Sequence, residues 1–371
     1  DRNISSFVNM INDSNFFKLT DSLIVARTRS MIDEDPKLKF PKKEKPTNIR
    51  ISEVKIGEYN SFEKIVDALP PKLSGYQPSA YLRVSEKKEA IYDERQRDFF
   101  LARMMYILLI KRLESSWYSF LKTVEKILIH HTNALESIMT YQKSIRQKIK
   151  LNEDEHEIEQ NTEMFDEDDD LENQYETLTL GKKRKIKISE IDEAGKLEEY
   201  KFDLLQDIAS LENLKKNLKS YESNLLNKVT KDKKLEELVK IIKNKRNNKS
   251  NNGNPKILIF TVFKDTAEYL YRELRIKGYD KIAYLSGSEY ISSYIEKENE
   301  SFLYKPKVNK FDDILEQFAP YGKMFNEKKW IGFTPTNKKD YKQSFEEWKE
   351  WMVNENKDSD SFIKLTNPID I

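Results

Sequence analysis

Leu101, Met104, Met105, Leu108, Trp117, Phe120, Leu121, Val124, Ile127 and Leu128 recur at steps of mostly three or four residues, with one wider gap. Helical geometry places positions spaced this way on one face, so the spacing predicts a helix-forming region from about residue 85 to 146 with a broad apolar side. Met104, Met105 and Trp117 are core residues on this reading. Around 99–110 the apolar side widens, which predicts enclosure from several directions. A second stripe, Leu204, Leu205, Ile208, Leu211, Leu214 and Leu218, predicts helix within 197–246. Two such helices bury their stripes by folding back on each other, so the expectation is an antiparallel, coiled-coil-like hairpin that protrudes from the rest of the chain.

The stretch between the stripes is of another kind. Residues 151–173 carry twelve acids and no Lys or Arg, and residues 182–187 read KKRKIK. Without apolar residues to bury, a segment of about 151–195 is expected to be a mobile, disordered acidic loop. Asp154-Glu155-His156 and Asp166–Asp170 are therefore read as solvated loop, because metal ligands need rigid support. His156-Glu157 lacks a second His four residues on, and no metal site is expected. His130 and His131 are read as ordinary helix residues near a helix end. The charges nearly cancel, with 65 Lys and Arg against 64 Asp and Glu, so any basic surface must come from their segregation. Only 9 Gly and 11 Pro in 371 residues disfavour a turn-rich all-β fold. The absence of Cys excludes disulfides and Cys-based zinc sites. The start, DRNISSFVNM, is no signal peptide, and the run Phe99–Ile110 is too short to cross a bilayer. A cytoplasmic location without a membrane partner is the expectation.

Beyond the polar linker at 247–255, NNKSNNGNP, the pattern turns α/β. KILIFTV, Lys256–Val262, predicts a strand buried on both faces. Lys264–Gly278 predicts a helix with a glycine stop, and Lys281–Leu285 a second strand. Strand, helix and strand joined by a parallel crossover make the unit of a doubly wound sheet. Phe311–Phe318 and Gln343–Val353, with Phe345, Trp348 and Trp351, predict further helices. Toward the N-terminus, Asp35–Pro46 reads as a connection, Asn48–Ile56 as a strand, and 69–80, LPPKLSGYQPSA, as a loop.

No G-x-x-x-x-G-K-[ST] is present, nor paired acids at a strand end, so no site for ATP is visible. Thr261 and Lys264 fall at the C-terminal edge of the first strand, where ligands of open α/β sheets bind. Ser286, Gly287 and Ser288 follow the second. Hydroxyls, an ammonium and a close-approaching glycine backbone suit phosphate contacts that do not read sequence. A capped strand end with a solvated lysine, and an ordinary turn, are the alternatives. Arg27 and Arg29 are candidates for DNA contact or for a bracing ion pair, for example with Glu44. The six basic residues of 240–256, free of acids, read as a flexible tether or as a phosphate-following segment.

Three stretches carry a resemblance. They are LTDSLIVARTRSMI with FPKKEKP (Arg27, Thr28, Arg29, Phe40, Pro41, Lys42, Lys43), then IKRLESS (through Ser116), then KILIFTVFKDTAEYLYREL with YLSGS and ILEQFAP. Together they resemble SWI/SNF-type helicase-related ATPases of superfamily II, and among them the bacterial branch related to RapA. Family members often double the first arginine, where this chain has Ala26. The resemblance implies an α/β fold with a long helical insertion. Residues 1–84 would enter the second lobe, 85–250 would form the helical protrusion, and 251–371 would form part of a second RecA-like lobe holding motif IV and the helix before motif V. It implies that the nucleotide-binding lobe precedes Asp1 and that motifs V and VI follow Ile371. ATP and Mg2+ would then belong to the intact translocase, this stretch alone would be inactive, and double-stranded DNA would be the partner. Two other readings stand beside it. One is a helical-hairpin scaffold that docks a protein partner and has no motor activity. The other, a nuclease or hydrolase, lacks convergent acids or histidines.

Overall fold

The two apolar stripes pack on each other in the computed structural model. The chain divides into two compact units, Asp1–Arg50 and Ile51–Ile371. The described residues are 45–49 in the first, and 55–83, 89–146, 157–158, 186–247, 254–287, 290–292, 311–319, 333–336, 341–355 and 369–371 in the second. Arg27, Arg29 and Ser288, the acidic strings, and most of the strand expected at Asn48–Ile56 lie outside them. In chain order the second unit contains helices α1 (Phe62–Asp67), α2 (Glu89–Ser115) and α3 (Trp117–Arg146), strands β1 (Glu157–Ile158) and β2 (Ile186–Lys187), and helices α4 (Ile188–Glu193), α5 (Leu197–Leu226), α6 (Lys233–Asn247) and α7 (Lys264–Ile276). Strands β3 (Ala283–Leu285) and β4 (Tyr290–Ser292) and helices α8 (Phe311–Phe318) and α9 (Tyr341–Glu355) follow. The described residues are mostly helical.

Helices α3 and α5 run antiparallel. Gln142 Nε2 donates to Glu198 at 2.6 Å near one end, Lys219 pairs with Glu125 at 3.5 Å, and Trp117 meets Tyr221 edge-on near the other. Leu121, Val124, Ile127, Leu211 and Leu214 are fully buried in their seam, and Leu101, Met105 and Leu108 of α2 join the same core. The stripes thus form a core as expected, with two departures. Leu205 is exposed, and so are Phe99, Phe100 and Ile107 of α2. Among the described residues α2 is covered on one side only, so enclosure of 99–110 from several sides is not found.

Residues 69–80, expected as a loop, form a buried one. They wind through two 3-10 turns, Ser74–Tyr76 and Pro78–Tyr81, and press Leu73, Tyr76 and Tyr81 into the helices. A buried loop must find partners for its main chain, and α3 and α5 supply them. Asp207 accepts from Lys72 N–H at 3.1 Å, and from the N–H and hydroxyl of Ser74, both at 2.6 Å. Tyr81 and Lys72 both donate to Asp203, at 2.6 and 2.7 Å. His131 Nε2 accepts from Gly75 N–H at 3.2 Å, while His131 Nδ1 donates to Ile127 O at 2.9 Å. A Cβ on Gly75 would lie 3.0 Å from the His131 ring, so a side chain there would press that ring by a few tenths of an ångström. Both histidines are therefore buried in the middle of α3, not near a helix end, and the clasp they form explains their placement.

These bonds fix His131 as the neutral tautomer protonated on Nδ1. Its 3.8 Å separation from Asp207 is thus no ion pair at neutral pH. Burial, and then the His130 ring beside it, hold the His131 pKa down to about 4, and burial also lowers that of His130. The unfolded chain takes these protons near pH 6.5 and the folded one does so only at lower pH, so between those values the unfolded state binds more protons. Stability is expected to fall as pH drops through this window, by up to about 1.4 kcal/mol per pH unit for each histidine. Urea unfolding across pH 4–7 checks this, and the slope should shrink in His131→Asn.

The segment following β2 also departs from its sequence reading. Ile186, Ile188 and Ile191 are buried against Ala134, Ile138, Leu197 and Tyr200, and β2 pairs antiparallel with β1. Residues 186–193, expected within the mobile loop, instead form β2 and α4, because KIKISEI supplies apolar side chains at positions that reach the core.

In the C-terminal part, α7 ends as its glycine predicts. Gly278 adopts φ +85°, and Tyr279 N–H returns to Leu274 O at 3.1 Å. Ile242, Tyr271, Leu274, Tyr279, Ile282 and Ile371 form a separate small core. Lys256–Val262 is not the expected two-faced buried strand: no strand forms there, and Leu258, Phe260 and Val262 are exposed. A strand is defined by its ladder, and within 257–262 Ile257 N–H, donating to Asp370 O at 2.8 Å, is the main-chain bond to another segment among the described residues. The second expected strand is present as β3, which pairs antiparallel with β4. The tripeptide Ile369–Ile371 does lie beside β3: Ile371 N–H donates to Lys281 O at 3.1 Å and Ile371 O accepts from Ala283 N–H at 2.9 Å. Bonds that bracket Ile282 in this way follow the spacing of a parallel pair.

Candidate nucleic-acid interface

Thr261, Lys264, Ser286 and Gly287 line one cavity of about 480 Å3. Much of its lining is apolar, with residues such as Ile259, Leu270, Ile314 and Phe318. Thr261 stands in the extended segment before α7, and Ser286 and Gly287 directly follow β3. The Thr261 hydroxyl accepts from Phe263 N–H at 3.4 Å, which leaves its proton to donate outward. Lys264 opens α7, where the helix dipole adds positive potential. Its neighbour Asp265 is paired with Arg112, whose Nη1 lies 2.6 Å away. Four of the seven sequence candidates thus come together, while Arg27, Arg29 and Ser288 lie outside the described residues.

Arg112, Ser115 and Ser116 join these candidates to the helical region, a role the sequence reading did not assign. Ser116 separates α2 from α3 and caps α3 by accepting from Ser119 N–H at 3.1 Å. Lys234 Nζ of α6 donates to the carbonyls of Glu114 and of Ser115, the latter at 3.0 Å, closing the end of α2. Asp232 caps α6 with one oxygen, at 2.9 Å from Lys234 N–H, and accepts from Tyr269 of α7 at 2.6 Å with the other. Trp117 Nε1 donates to the same Tyr269 hydroxyl at 3.1 Å. The signal was present in the serine pair directly before an apolar helical run, which marks a helix start.

Among the described residues no group of three or more His, Asp or Glu is placed to hold a metal, and no helix is long and apolar enough to cross a membrane. No family model, curated protein or solved structure matches the chain.

Proposed function

We propose that residues 251–371 present a polyanion-backbone site of a SWI/SNF-type DNA translocase, within a partial second RecA-like lobe, and that 85–250 form its helical protrusion. The convergence of Thr261 and Lys264 with Ser286 and Gly287 on one cavity carries the reading, because hydroxyls, main-chain N–H groups and an ammonium grip phosphates without reading bases. The IKRLESS and KILIFTV stretches support the family assignment by resemblance. On this reading ATP and Mg2+ are handled by another lobe of the intact protein.

Duplex DNA is expected to bind in a salt-dependent way. Lys264→Ala should weaken binding about fivefold for all sequences alike, the worth of one modest hydrogen bond, and should lower the slope of log affinity against log salt by about 1. Fluorescence anisotropy with labelled duplexes of two sequences, and with a matching RNA duplex, measures this. Affinity that ignores salt, or that is untouched by Lys264→Ala, rejects the proposal.

A second reading draws on a different observation. Phe99, Phe100 and Ile107 are 62, 40 and 39% exposed along one side of α2. An apolar helix face of this kind suits a protein partner docked on the protrusion.

A further inference from the structure

The corner between α2 and α3 holds the beginning of α7 from three directions. Arg112 is 2% exposed and places its guanidinium 4.6 Å over the Phe263 ring. The same Nη1 that meets Asp265 at 2.6 Å also donates to Ser119 Oγ at 3.2 Å. The hydroxyls of Ser115 and Ser116 lie 2.8 and 2.9 Å from Thr266 Oγ1. Phe263, Asp265 and Thr266 are therefore all gripped by the helical region. Lys264 stands between them and lines the same cavity as Thr261. The backbone carrying Lys264 cannot shift without breaking a buried, charge-assisted bond, the kind most costly to lose.

We infer that Arg112 is a positioning residue for the phosphate contact: through Asp265 and Phe263 it sets where the Lys264 ammonium lies, and so couples the helical protrusion to the grip on nucleic acid. This rests on the reading of Lys264 as a phosphate contact. The planar guanidinium suits the task, since one group stacks on the ring and bonds Asp265 and Ser119 together, which a lysine ammonium cannot do. A load placed on the protrusion is then felt at Lys264 through the α2–α3 corner, without any contact between the protrusion and the phosphate.

Anisotropy with a labelled duplex, across a salt series, tests it on Arg112→Met, Lys264→Ala and the double variant. Circular dichroism and Tm report separately on folding. The expected result is that Arg112→Met lowers affinity about fivefold and the salt slope by about 1, as Lys264→Ala does, and that the double variant binds no more weakly than Lys264→Ala alone. Should Arg112→Met fail to fold, Thr266→Val, nearly isosteric and lacking the shared hydroxyl, is expected to shift affinity in the same direction by a smaller factor. If Lys264→Ala weakens binding while folded Arg112→Met (or Thr266→Val) leaves affinity and slope unchanged, or if the losses simply add, Arg112 serves structure alone and the inference is overturned. If Lys264→Ala itself is silent, the phosphate reading falls and takes the coupling with it.

Discussion

Asp207→Ala is expected to lower the free energy of unfolding by about 3–5 kcal/mol, the range seen when one partner of a buried charged network is removed. Asp207 is fully buried and its two oxygens receive three donors: Lys72 N–H, Ser74 N–H and the Ser74 hydroxyl. Between those two residues Leu73 is held in the left-handed region at φ +52°, an unfavourable conformation for a side-chain-bearing residue. The carboxylate thus sits in a cradle of main-chain N–H groups and offsets the strain that shapes it. Alanine leaves these donors buried without a partner, at about 1–3 kcal/mol each before relaxation. Asp207→Asn should cost less, since one oxygen remains to accept. Asp280→Ala is the control: its side chain is 57% exposed, opposite Arg275, and surface pairs contribute about 0–1 kcal/mol. Urea denaturation at neutral pH measures all three, and an Asp207→Ala loss no larger than the Asp280→Ala loss would show that the clasp contributes little to stability.

Leu214→Ala and Leu205→Ala should separate sharply, although both lie in the same apolar stripe of α5. Leu214 is fully buried against α3 and Leu205 is 47% exposed. Truncating the first removes buried methyl groups and leaves a cavity, costing about 2–5 kcal/mol. Truncating the second should change stability by no more than about 0.5 kcal/mol. Thermal and urea unfolding of the two variants, side by side, checks it. Equal losses would mean that α5 is covered on a second side, by residues outside those described.

Much of the helical part was legible because its signal is local. Leu101, Leu108, Leu121, Val124, Leu211 and Leu218 follow a 3.6-residue period, and a helix that buries that face needs nothing remote to specify it. The glycine stop at Gly278 and the helices at Phe311–Phe318 and Gln343–Val353 were legible for the same reason. Signals that depend on a distant partner were less so. Asp203 and Asp207 lie on the buried side of α5 with Tyr200, Leu204 and Leu211. Acids at seam positions mark buried bonds, but their donors, Lys72, Ser74 and Tyr81, come from a stretch whose composition reads as an ordinary turn. KILIFTV has the composition of a central strand, yet a strand exists only where neighbours complete its ladder, and Phe260 remains 89% exposed.

The amino-acid order alone determined that two long amphipathic helical regions form, that an acid-rich stretch divides them, and that further helices follow Asn247. These follow from spacing and backbone preference, which act within a few residues. The tertiary structure decided that Asp207 and His131 clasp the 69–80 segment, that Arg112 meets Asp265, and that Thr261 and Lys264 line one cavity with Ser286 and Gly287. Each of these depends on burying a polar group against one remote partner, and the energy of that pairing is set by distance and solvent exclusion, quantities that only a folded chain possesses.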